Sequence, residues 1–106
     1  MIVTSTDFIP GYEITEILGV VKGNTTRGRN VGKDIVAFLK NLVGGEIEEY
    51  TKLMAESREQ ALERLREDAK QLGADAIVNI RFATSDIASG AAEILVYGTA
   101  VKLKKI

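Results

Sequence analysis

The sequence predicts an α+β fold in which a small antiparallel β-sheet packs on a long α-helix and a shorter one, in the order β-β-α-α-β-β. Three observations predict it. Residues 46–72 carry an apolar stripe at helical spacing with no internal glycine or proline. Two segments before the helical region and two after it are apolar and rich in β-branched residues. Glycine-rich stretches separate these blocks, as turns require. The chain has 106 residues, within the roughly 100–200 usual for one domain, so residues 1–106 form a single unit. At 45% hydrophobic and 27% charged residues, it has the composition of a globular protein rather than a disordered one.

The elements follow in order. Ile2 to Thr6 is β-branched and is interrupted by Asp7 to Gly11, which contains Pro10, so it reads as a strand and a turn. Glu13 to Lys22 reads as the second strand, apolar on both faces through its middle at Ile14, Ile17, Leu18, Val20 and Val21. Gly23 to Gly32 is polar and glycine-rich and reads as a loop. A shorter helix then opens with Asn30 as N-cap and Asp34 near its positive end. Val31, Ile35, Phe38, Leu39 and Leu42 give it an apolar face, and Gly44-Gly45 ends it. The long helix runs from about Glu46 to Leu72. Its stripe is Ile47, Tyr50, Met54, Ala61, Leu65 and Leu72, flanked by Leu53, Leu62 and Ala69. Glu48–Lys52 and Arg64–Asp68 stand four residues apart, where opposite charges attract. Ala76 to Thr84 is a strand with Val78, Ile80 and Phe82 on one face and Asn79 and Arg81 on the other. Ser85 to Gly90 is a turn, and Ala92 to Lys104 a long final strand, apolar on both faces from Ile94 to Tyr97.

Two of these features point to self-assembly. A helix of about 27 residues is about 40 Å long, against a radius of gyration of about 13 Å for a compact domain of this size. Two strands are apolar on both faces, with only two helices to cover them. A second copy of the chain is the expected cover.

Composition excludes several chemistries. The chain has no Cys and no His, so it has no disulfide, thiolate nucleophile, Ser-His-Asp triad or ordinary zinc site. Its 14 basic and 15 acidic residues leave a net charge of −1, which argues against nucleic acid as a partner. The N-terminus lacks the basic and apolar regions of a secretory signal. No apolar run reaches the roughly 20 residues a membrane span needs. A cytoplasmic protein that partners neither membrane nor nucleic acid is expected.

Candidate sites are few. Gly28-Arg29-Asn30-Val31-Gly32-Lys33-Asp34 is similar to a phosphate-binding loop, but its spacing is one residue short and Asp34 stands where the motif needs Ser or Thr. Nucleotide hydrolysis is thereby rejected. Arg27, Arg29 and Lys33 remain as an anion-attracting patch or as solvated loop charges. Glu56, Glu59, Glu63 and Glu67 read as an exposed helix face rather than a cation site. Arg81 and Glu93 fall on adjoining strands, either as a cross-strand ion pair or as part of a ligand site. Tyr97 beside Gly98 either packs or lines a cleft. No catalytic set, metal ligand or cofactor is assigned.

Four blocks in order carry a resemblance: Ile9-Pro-Gly-Tyr-Glu-Ile14, Gly44-Gly-Glu-Ile-Glu-Glu-Tyr-Thr51, Leu72-Gly-Ala-Asp-Ala-Ile77 and Tyr97-Gly-Thr-Ala-Val101. They resemble the YbjQ-like family, a mostly uncharacterised group commonly described as "putative heavy-metal-binding". The resemblance implies a dodecin-like subunit and a ring-shaped homopentamer. The metal description sits badly with a chain whose only sulfur atoms are those of Met1 and Met54, since soft metals prefer thiolate and imidazole. The expected function is a non-enzymatic homo-oligomer holding a small ligand or ion. A ligand-free scaffold and an enzyme using Arg, Glu and Tyr are the alternatives.

Overall fold

The computed structural model describes residues 1–27, 47–88 and 91–106. Strands β1 (Ile2–Val3) and β2 (Tyr12–Arg27) precede helix α1 (Ile47–Gln71), and β3 (Ala76–Ala88) and β4 (Ala91–Lys105) follow it. The strands form one sheet in the spatial order β1-β3-β4-β2. Helix α1 packs against β2 and β4.

This corrects the expected architecture. Among the described residues there is one helix, not a long one plus a second, and the order is β-β-α-β-β. The shorter helix expected from Asn30 lies outside the described residues. The sheet is mixed rather than antiparallel. β2 and β4 are each antiparallel to their neighbours, but β1 runs parallel to β3, with Ile2 opposite Ala76 and Val3 opposite Ile77. A tight turn forces antiparallel pairing. β1 and β3 are separated by β2 and α1, so no turn constrains their direction.

The strands also run further than expected. The polar segment from Gly23, read as loop, continues β2 to Arg27, opposite Ala92. Most of the expected turn from Ser85 is strand, since β3 reaches Ala88 and pairs with Ala91. The result is an elongated molecule of 56 × 24 × 16 Å with a radius of gyration of 17.1 Å.

Local chemistry fixes the joints. Ile9, Pro10, Gly11 and Tyr12 form a turn closed by the Tyr12 N–H on the Ile9 carbonyl at 3.1 Å, with Pro10 and Gly11 (φ +83°) at its centre as a type II turn requires. At the end of α1, Gly73 has φ +74°. Its N–H donates to Lys70 at 3.0 Å, and the Ala74 N–H donates to Ala69 at 3.1 Å. This Schellman arrangement satisfies two carbonyls the helix would leave open. Asp75 then ties the chain to the sheet. Its N–H donates to the Val101 carbonyl, and its carboxylate accepts the Leu103 N–H at 2.8 Å.

The buried line of α1 is Ser57, Ala61, Leu65 and Ala69, four residues apart. Met54 and Leu62 are half-buried beside it, while Leu72, expected on the stripe, is exposed. Three of the four buried residues are small, which lets the helix lie close to β2. A Cβ on Gly23 would run into the main chain at Ala61 and Leu65. Val21, Ile77, Ile94, Val96 and Ala100 complete this core.

A β-bulge divides β3. Val78 pairs with Thr99, but Arg81 pairs with Tyr97, so one extra residue is taken up between them, and Asn79 has φ +56°. Its N–H donates to the Thr6 carbonyl at 2.9 Å. Val78 therefore belongs to a second cluster with Ile9, Ala76 and Val101 on the face away from α1, whereas Ile80 packs on the α1 side. The expected single row of Val78, Ile80 and Phe82 does not form, because the bulge breaks the alternation.

Candidate functional site

The sheet has two unlike faces. Val21, Gly23 and Thr25 of β2 and Ile94, Val96 and Gly98 of β4 face α1 and are buried. The intervening residues point the other way, since side chains alternate along a strand. On that open face the Ile9 cluster covers one end of the sheet, where Ile14 and Leu103 flank it. Beyond it, Ile17 is 71% exposed, Val20 75% and Tyr97 41%. Leu95, half-buried, lies further along β4 on the same face.

Three cross-strand rows continue this surface. Lys22, Tyr97 and Arg81 form the first, Asn24, Leu95 and Ala83 the second, and Thr26, Glu93 and Ser85 the third. Side chains directly opposite in such rows have Cβ atoms about 4.5–5.5 Å apart. In the third row Glu93 Oε2 accepts the Asn24 amide at 3.2 Å. In the first, Arg81 Nη1 donates to the carbonyls of Ser5 (3.2 Å) and Ile80 (2.8 Å). That holds one terminal nitrogen of the guanidinium while leaving its other donors for something else.

The edge of β2 is closed differently. The Lys22 N–H, which points away from β4, donates to Asp68 Oδ2 at 3.0 Å. The Asn24 carbonyl, also pointing outward, accepts a hydrogen bond from Arg64. Inside, the Thr25 hydroxyl donates to the Ser57 carbonyl at 3.3 Å. Arg64 and Asp68, expected to pair with each other, instead hold two main-chain groups of the neighbouring strand. Side chains of α1 thus cap a strand edge that would otherwise be open to further pairing.

The structure gathers only part of the expected site. Arg81 and Tyr97 are direct neighbours. Arg81 and Glu93 are not the expected ion pair. Arg81 lies opposite Tyr97, and Glu93 lies opposite Ser85 four residues along β4, a separation of about 13 Å at 3.3 Å per residue. Gly98 does not open a cleft beside Tyr97. It faces α1, and a Cβ there would come within 2.9 Å of the Ile77 side chain. Arg27 ends β2 opposite Ala92, while Arg29 and Lys33 lie outside the described residues. Lys22 was missed because it reads as the end of a strand before a loop. The β-branched pair Thr25-Thr26 is the one signal in the sequence that β2 goes on.

The donor set does not fit a soft heavy metal. No thiolate or imidazole exists anywhere in the chain, and soft ions select those ligands. Met54 packs against the core cluster, and Met1 lies at the chain end. Among the described residues no three acidic side chains converge as a metal site would require. No described helix is long and apolar enough to cross a membrane.

Comparison with known proteins gives a consistent picture. Residues 1–104 match the model of the YbjQ-like family, described as "Putative heavy-metal-binding". A UPF0145 protein of Archaeoglobus fulgidus is 59% identical over 104 residues, spanning 98% of this chain and 96% of its own. One from Thermotoga maritima is 55% identical over 106 residues, with both chains spanned in full. A crystal structure of a protein of unknown function from Pediococcus pentosaceus, of the DUF74 family, covers 98% of each chain with a TM-score of 0.65 at 19% identity. That likeness concerns the fold alone.

Proposed function

The chain belongs to the YbjQ-like family, and from that premise we propose that it acts as a non-enzymatic homo-oligomer in the cytoplasm, holding a small ligand or ion at a subunit interface on the open sheet face. The observation that carries the reading is the exposure of Ile17, Val20 and Tyr97 along one strip. Scattered apolar residues are normal on a surface, but a contiguous apolar strip marks an interaction site. The family resemblance supplies the stoichiometry, a pentamer. A ring of that kind needs a heterologous contact, in which two different patches of the subunit meet. The open strip is one such patch.

The ligand in this reading is not a soft metal, because the polar side chains on the open face are Lys22, Asn24, Arg81, Tyr97, Glu93 and hydroxyls. None of these combinations forms a nucleophile–base pair of the kind that covalent or acid–base catalysis requires, which favours binding over turnover. The test is the mass in solution by light scattering at micromolar concentration. Five chains per particle are expected for the wild type, and a smaller particle for Val20→Asp. A wild-type protein that is monomeric under these conditions overturns the reading.

A further inference from the structure

We infer that the row Lys22–Tyr97–Arg81 binds a small aromatic carboxylate, with its ring against Tyr97 and its carboxylate between the two cations. This rests on the open face being the ligand-bearing one, and it goes further by assigning the ligand's charge and shape.

The register places Tyr97 between Lys22 on one side and Arg81 on the other. Strands stand about 4.8 Å apart, so the two cationic residues flank the ring at a span of about 10 Å. Tyr97 is 41% exposed, which leaves ring surface for a ligand. Among the described residues no ion pair neutralises the row. The acid on this face, Glu93, lies two rows away and accepts from Asn24. Asp68 lies at the β2 edge, where it accepts the Lys22 main-chain N–H. Neither the Lys22 ammonium nor the Tyr97 hydroxyl has a partner among the described residues. Arg81 is held at one nitrogen by the Ser5 and Ile80 carbonyls, so its orientation is set before a ligand arrives and less freedom is lost on binding.

The chemistry follows from these parts. Two unneutralised cations select an anion, and a guanidinium offers a fork that suits a carboxylate. An aromatic ring between them favours a flat partner, because aromatic pairs gain beyond the area they bury. The neighbouring row supplies Leu95 and Ala83, a low apolar floor on which the far edge of a ring can rest. The sign of the ligand is thus opposite to that of a metal ion.

The test is calorimetric titration of the full chain with sodium benzoate. Cyclohexanecarboxylate and inorganic phosphate serve as comparisons, and circular dichroism checks each variant's fold. Benzoate is expected to give a saturable heat. Arg81→Gln and Tyr97→Leu are each expected to weaken it about tenfold, the order of one charge-assisted or stacking contact. Tyr97→Phe keeps the ring and is expected to keep binding. No saturable heat with benzoate overturns the inference, as does equal binding of phosphate or of cyclohexanecarboxylate, or indifference to Tyr97→Leu. Light scattering on the same samples separates the two readings. An assembled protein without benzoate binding removes this inference alone, whereas a monomer removes the assembly on which it rests.

Discussion

The two faces of strands β2 and β4 are built from the same alternating apolar pattern, yet they have opposite fates. Under α1, Val21, Val96 and Ala100 are fully buried, and Thr25 is nearly so with its hydroxyl satisfied. One residue away along the same strands, Val20 and Tyr97 are open. Residue type does not explain the difference, since a valine stands on each side. What differs is the small-residue line of α1, which brings a helix down onto one face, while among the described residues no helix covers the other. Apolar pattern tells which surfaces demand cover; it does not tell whether the cover lies in the same chain.

Substitutions break or sharpen that contrast. The largest loss is expected from Gly23→Val, because added carbon meets helix main chain that has no rotamer to yield. A loss of at least about 3 kcal/mol in urea denaturation is the expected outcome, at the upper end for overpacking. Leu65→Ala, a cavity under α1, is expected to cost about 2–4 kcal/mol in the same assay. Asp68→Ala removes the cap on the Lys22 N–H at the solvent-exposed β2 edge and is expected to cost about 1 kcal/mol. Val20→Asp, on the uncovered face, is expected to leave the helical circular dichroism of the subunit intact while lowering the mass measured by light scattering. Least of all, Glu63→Gln loses the exposed Arg66 pair at 3.1 Å and is expected to change stability by less than about 0.5 kcal/mol. A Val20→Asp chain that unfolds as readily as Gly23→Val would erase the distinction between the faces.

Much of this architecture was legible in the sequence where local signals decide it. The long helix, expected over 46–72, runs from Ile47 to Gln71, because a stripe and a terminal glycine are properties of neighbouring residues. The starts of β3 and β4 were legible for the same reason. β2 was cut short at Gly23, where glycine reads as loop. Here it is the residue that lets helix and strand backbones meet, and that need exists only once α1 is in place. The parallel pairing of β1 was not legible, since it depends on where a distant strand ends up. Of the candidate site, Arg81 and Tyr97 were named from sequence, but their adjacency was not. It follows from the register of the β3–β4 pairing, which carries β3 to Ala88 through the stretch read as a turn and sets Arg81 four residues from Glu93 along β4.

The bulge at Asn79 decides which changes in length the chain tolerates. From Arg81 onward, each β3 side chain keeps its face only because one residue upstream is uncounted in the pairing. Deleting Asn79 would take out the uncounted residue itself, so Val78, Ile80 and Arg81 would pair in plain alternation and Arg81 would stay opposite Tyr97. A single-residue deletion further along β3, where the pairing is regular, is instead equivalent to swapping a whole row of side chains at once. Among relatives that keep Arg81 beside Tyr97, a one-residue gap should therefore fall at the bulge and not in the regular stretch that follows it.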